Sequence, residues 1–121
     1  MENKKLIYVV DDEEFIRDLL TTFLDFSGYA AKSFVNGQEC LMALVVEKPD
    51  AVITDIHMPI MNGFQLLRAV RNIDKDIPVL FITGFAHFRR FFADKTARAD
   101  GFIEKPFSLE SISQWLKSNG I

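Results

Sequence analysis

Residues 6–20, LIYVVDDEEFIRDLL, change their period halfway along. From Leu6 to Val10 every position is apolar, the pattern of a short strand covered on both faces. Beyond the acids that follow, Ile16, Leu19, Leu20, Phe23 and Leu24 recur at i, i+3, i+4, i+7 and i+8, one stripe of a helix, with Asp12 or Glu13 where an acidic first turn belongs. A buried strand that passes through an acidic turn into an amphipathic helix is half of a parallel βα unit, because parallel neighbours need a crossover over one face of the sheet.

The same alternation repeats along the chain. Strands are predicted over 29–34, 51–55, 79–83 and 101–104, and AVIT and VLFIT again read as doubly covered. Helices are predicted over 37–46, opened by Asn36-Gly37, over 63–72, and over roughly 88–98. A fifth helix follows Phe107, with Ser108 as N-cap, Glu110 in the first turn, Phe107 stapled on Ile112, and Leu109, Ile112 and Leu116 as its buried stripe. Five such units with right-handed crossovers predict an α/β fold: one doubly wound five-stranded parallel sheet, (βα)5, strand order 2-1-3-4-5, flavodoxin-like.

The 121 residues, 49% hydrophobic and 26% charged, fit a single domain over 1–121, with no room in this chain for a second catalytic or output domain. Cys40 is the sole cysteine, so no internal disulfide is expected, and a lone thiol in a helix reads as a small apolar residue. With 14 basic against 17 acidic residues the net charge is −3, which argues against direct nucleic-acid binding. No apolar run approaches the ~18 residues of a membrane span, and the start lacks a signal-peptide core. A cytoplasmic protein without a membrane partner is the expectation.

In doubly wound sheets the site lies outside the carboxyl ends of the strands. Here those ends carry Asp11-Asp12, Asp55, Thr83 and Lys105-Pro106. An acidic pair at a helix start is ordinarily a solvated capping device. Three carboxylates converging with a hydroxyl and a lysine are something else, since like charges raise one another's pKa unless a cation intervenes. A hard divalent ion with oxygen ligands, Mg²⁺ or Mn²⁺, suits such a set. The same residues form a phosphoryl-transfer kit, with Asp55 as nucleophile, Asp12 as metal ligand, Asp11 acting through water, Lys105 as point charge and Thr83 as hydrogen-bond donor. The six glycines form neither GxGxxG nor GxxxxGK[ST], and no GxSxG occurs, so nucleotide cradles and serine hydrolysis are unsupported.

Four segments in this order, VVDDEEFIRDLL (9–20), ITDIHMPIMNGFQLLRAVR (53–71), VLFITG (79–84) and GFIEKPFSLE (101–110), resemble the receiver domain of bacterial two-component response regulators. The resemblance covers essentially the whole chain. It implies that Asp55 accepts a phosphoryl group from a sensor histidine kinase or phosphotransfer protein. It also implies that Asp12, Asp55 and the backbone carbonyl of His57 hold Mg²⁺, that Asp11 acts through a metal-bound water, and that Lys105 pairs with phosphoryl oxygens. Thr83 and Phe102 match the family's switch pair. Lys105-Pro106 matches its usual cis peptide, and Pro59 and Gly63 match the loop after the acceptor. His57 and Phe85 stand at positions similar to those that tune phosphoryl lifetime, or are plain rim residues.

The segment 85–92, FAHFRRFF, departs from the family's small, alanine-rich pattern. Phe85, Phe88 and Phe92 fit a buried stripe, leaving Arg89, Arg90 and Phe91 outward. With Trp115 on the fifth helix, these would border the face of fourth helix, fifth strand and fifth helix that resembles the family's output surface, open to an unknown output protein or to a phosphorylation-dependent homodimer. Three classes of function follow. One is a stand-alone phosphorylation-activated switch, not an enzyme beyond its own phosphorylation and dephosphorylation. Another is the receiver portion of a longer regulator with a DNA-binding or enzymatic output domain. The third is a Mg²⁺-dependent phosphatase of the haloacid dehalogenase type, disfavoured because Asp55-Ile56-His57 lacks the second acid of a DxD motif.

Overall fold

A computed structural model of the chain describes residues 3–84 and 99–121. Five strands, β1 (Leu6–Val10), β2 (Ala30–Phe34), β3 (Ala51–Asp55), β4 (Val79–Thr83) and β5 (Gly101–Glu104), form one parallel sheet in the order β2-β1-β3-β4-β5. The described helices are α1 (Glu14–Phe26), α2 (Gly37–Val46), α3 (Gly63–Ile73) and α4 (Leu109–Ser118), the last being the predicted fifth helix. The predicted helix over 88–98 lies outside the described residues. Four strands match their predicted bounds, and β2 starts one residue later, at Ala30.

Period-two alternation splits the interior into two cores. Tyr8, Val10, Val52 and Phe81 face α2 and α3, where they meet Cys40, Leu44, Leu66 and Val70. Ile7, Val9, Ile53, Leu80 and Ile82 face α1 and α4, where they meet Leu20, Leu24, Ile112 and Leu116. Both faces are covered, so β3 and β4 are buried at all five positions, whereas the edge strand β2 shows Lys32 and Ser33 to solvent. Cys40 is fully buried, and burial pushes its thiol pKa up to about 12.

Among the described helices three carry side-chain N-caps: Asn36 for α2, Asn62 in a reciprocal capping box with Gln65 for α3, and Ser108 for α4. The start of α1 has none on Glu13, and the acid in its first turn is Glu14. Instead the Asp11 carboxylate accepts from the Glu13 amide at 2.9 Å.

Trp115 corrects one expectation. It is not on a partner surface: only 9% exposed, it packs in the α1/α4 core and donates its indole N–H to the Asp100 carbonyl at 3.2 Å. The ring lies over β5, where a Cβ on Gly101 would stand 2.3 Å from Trp115 Nε1. The buried face of α4 is thus Ile112, Trp115 and Leu116, with Leu109 only partly covered.

Candidate functional site

Because the strands are parallel, β1, β3, β4 and β5 deliver their last residues to one edge, and the predicted set meets there. One carboxylate oxygen from each of Asp11, Asp12 and Asp55 lies within 4.8 Å of the other two. Asp11 is fully buried, Asp55 is 6% exposed, and Asp12 faces solvent. Lys105 extends its ammonium between them, with Nζ 2.9 Å from Asp11 Oδ2 and 3.3 Å from Asp55 Oδ2. A third acid, the more exposed Glu13, lies 3.5 Å from the same nitrogen.

Backbone contacts fix these positions. The Lys105 amide donates to the Thr83 carbonyl at 2.7 Å, locking the exit of β5 to the end of β4, and the Lys105–Pro106 peptide bond is cis. Thr83 is fully buried. Asp55 Oδ1 accepts from the amides of Ile56 at 2.8 Å and His57 at 3.4 Å, so one carboxylate oxygen is held by the loop while the other meets Lys105. The His57 residue as a whole is exposed on the rim. Gly63 lets α3 press against this loop: a Cβ there would stand 2.6 Å from the Asp55 carbonyl oxygen and 2.8 Å from Ile56 Cα. Between them the chain runs through Ile60, which at φ 71° is strained for a β-branched residue.

Phe102 sits one layer below, paired with Phe81 across β4 and β5 and half-buried against the α2/α3 core. Phe85, Arg89, Arg90 and Phe91 lie outside the described residues.

Electrostatics follow from burial. Loss of water pushes the Asp55 pKa up, and the Lys105 charge and the Ile56 amide only partly pull it back. Burial raises Asp11 likewise against the Glu13 amide and Lys105. Burial pulls the Lys105 ammonium down, but the hydrogen bond and charge of Asp11 and the charge of Asp55 outweigh it and leave the pKa raised. Among the described residues two buried acids share one cation, so this part of the cluster is short of positive charge. All candidate donors are hard oxygens, and this set fits a divalent ion of the Mg²⁺ type.

Several contacts escape a motif-level reading. Arg17 Nη1 donates to the Asp11 carbonyl at 2.7 Å, and the buried Thr54 hydroxyl donates to the Asp55 carbonyl at 2.8 Å. Neither is signalled by spacing, because both end on backbone oxygens. Beside the site, Phe15 and Leu19 line a groove of about 370 Å³ together with Lys105, Pro106 and Phe107. They also line an adjoining apolar groove of about 530 Å³ that extends along α1 to Phe23 and Phe26. Phe15 is 73% and Phe26 90% exposed. No helix among the described residues is long and apolar enough to cross a membrane.

The family model for the response regulator receiver domain matches residues 7–117. Among curated proteins, the response regulator MprA of Mycolicibacterium vanbaalenii is 35% identical over 106 residues, 88% of this chain and 46% of that protein. The chain therefore spans about half the length of the curated relatives it matches. Among solved structures, the chemotaxis protein CheY4 of Vibrio cholerae aligns with a TM-score of 0.88 at 29% identity, over 96% of this chain and 98% of that one. The response regulator TrrA of Thermotoga maritima, solved in complex with Mg²⁺ and BeF, aligns with a TM-score of 0.86 at 33% identity, over 95% and 98%.

Proposed function

The chain belongs to the response regulator receiver domain family of two-component signalling, and on that premise we propose that it is a phosphorylation-activated switch whose acceptor is Asp55. The carrying observation is the asymmetry of that carboxylate: one oxygen is held by two loop amides while the other faces Lys105, beside two further acids within 4.8 Å. A divalent cation held by Asp12, Asp55 and the His57 carbonyl, with Asp11 reaching it through water, would supply charge neutralisation for the incoming phosphoryl group. Asp55 attacks phosphorus and displaces the imidazole of a phosphohistidine on a sensor kinase or phosphotransfer protein. Lys105 then exchanges its Asp55 contact for a phosphoryl oxygen.

Phosphorylation replaces the single carboxylate charge of Asp55 with a phosphoryl group that carries up to about two negative charges and three acceptor oxygens. Thr83, at the end of the neighbouring strand, satisfies one new oxygen by moving inward, and Phe102 turns into the space it leaves. This shifts the population toward a repacked output face by no more than the partner's differential affinity for the two forms. The smaller of the two adjoining grooves reaches Lys105, so a phosphodonor protein seated on Phe15 and Leu19 has its histidine brought to the acceptor. The relatives' length supports the domain as one part of a longer regulator, and the overlap with 98% of the CheY4 chain supports a module of its own. His57 and Phe85 are proposed to set phosphoryl lifetime.

Incubation with Mg²⁺ and acetyl phosphate, followed by intact mass, tests the assignment. One added phosphoryl group, absent in Asp55→Asn, is expected. Equal uptake by wild type and Asp55→Asn would sink it.

A further inference from the structure

We infer that Arg17 is a positioning residue for the cation site, a role that rests on the functional reading above. Asp11 is held at every polar atom: its amide donates to the Phe34 carbonyl at 3.2 Å, Oδ1 accepts from Glu13 N, Oδ2 meets Lys105, and its carbonyl accepts from Arg17 Nη1 at 2.7 Å. Asp12 is the opposite case. Among the described residues, no hydrogen bond or ion pair holds its exposed carboxylate, yet that carboxylate lies within 4.8 Å of the buried acids. Its position therefore depends on its backbone.

The Asp11 carbonyl, the Asp12 amide and the Asp12 Cα lie in one rigid peptide plane. Fixing the carbonyl fixes the plane from which Asp12 projects. Arg17, one turn into α1, reaches back over the turn to do so, and its own amide donates to the Glu13 carbonyl at 3.1 Å, so the helix is its rigid base. A long guanidinium is suited to this span, and it supports the ligands from outside the ligand set.

The sign of the charge separates this role from plain electrostatics. A cation beside a site for another cation repels it, so deleting the Arg17 charge alone would tighten metal binding. Deleting the hydrogen bond would free the Asp11–Asp12 peptide and weaken it. Positioning and charge thus predict opposite outcomes for one substitution.

The test is calorimetric titration of the full chain with Mn²⁺, using wild type, Arg17→Met and Arg17→Lys, together with urea unfolding of each without metal. We expect Arg17→Met to bind Mn²⁺ about tenfold more weakly, Arg17→Lys to recover most of the loss, and the metal-free unfolding midpoints to stay close to one another. Binding by Arg17→Met equal to or tighter than wild type overturns the inference. So does a weakening that appears only with a collapsed metal-free midpoint. If Arg17→Met does not fold, Arg17→Gln takes its place with the same expectations. A wild-type chain that binds no Mn²⁺ contradicts the functional reading instead.

Discussion

The two ends of the sheet use the same residue types for opposite purposes. At the amino end, Asp50 accepts the Leu6 amide at 2.7 Å, and Asp100 accepts the Val79 amide at 2.8 Å while pairing with Arg71 at 2.7 Å. Each acid caps the first free N–H of a strand from a position near water. Asp74, in the turn before β4, has its pKa lowered by the Asp76 amide and Lys48. At the carboxyl end Asp11 and Asp55 are buried, share one lysine, and have raised pKa values. An acid matched by its own donors is structural. Acids buried in excess of their donors leave a site suited to a cation.

The largest effect that separates the ends is on phosphoryl uptake. Asp55→Asn abolishes it with the fold intact, whereas Asp100→Ala keeps uptake and lowers unfolding free energy by about 1–2 kcal/mol through loss of a backbone cap and a partly exposed ion pair. Intact mass and urea melts read both. Uptake lost in Asp100→Ala while it remained folded would erase the distinction.

Lys105→Met sharpens it next. Removing the shared cation leaves two buried acids uncompensated, so stability at pH 7 without metal falls by about 2 kcal/mol, discounted from the full cost of a broken buried pair because the acids protonate and water enters. The loss shrinks as pH falls toward the raised carboxyl pKa values. A deficit independent of pH in paired melts would contradict the account.

The pH dependence of the wild type comes third. Asp11 and Asp55 have folded pKa values above their unfolded ones, so their contribution to stability is fully present below the ordinary carboxylate value and is lost as pH rises through the raised values. Metal binding requires the ionised acids, so Mn²⁺ affinity rises with pH across the same window. Asp74, with its pKa lowered, behaves oppositely: its contribution is present at neutral pH and is lost on acidification. Titrations at pH 5 and 7.5 giving equal Mn²⁺ affinity would count against raised pKa values in the site.

The smallest effect is strain. Ile60→Gly relieves a β-branched residue at φ 71° and should stabilise the fold by about 0.5–1 kcal/mol net of unfolded-chain entropy. A melt showing destabilisation would place the loop's conformation under packing control instead.

The strands were legible because burial on both faces writes continuous apolar runs such as LIYVV and VLFIT, and the Ser108 cap and the Asn36-Gly37 helix start because they act through local backbone geometry, whereas the Asn62 capping box is a finding of the structure. Trp115 was misplaced although it lies at i+3 from Ile112, on the same face. The bare Gly101 that makes room for its ring lies on another element, fourteen positions upstream. The acids and Lys105 were legible because parallel strands bring their carboxyl ends to one edge. That Asp11 is buried and Asp12 exposed was not, nor was the Arg17 contact, since each depends on how a peptide plane turns after β1.

Borohydride reduction of the phosphorylated protein converts an aspartyl phosphate to homoserine, and peptide mass spectrometry then locates it. Homoserine is expected at position 55 alone, with Asp11 and Asp12 unchanged. Homoserine at position 11 or 12 would contradict the division of roles on which the site is built.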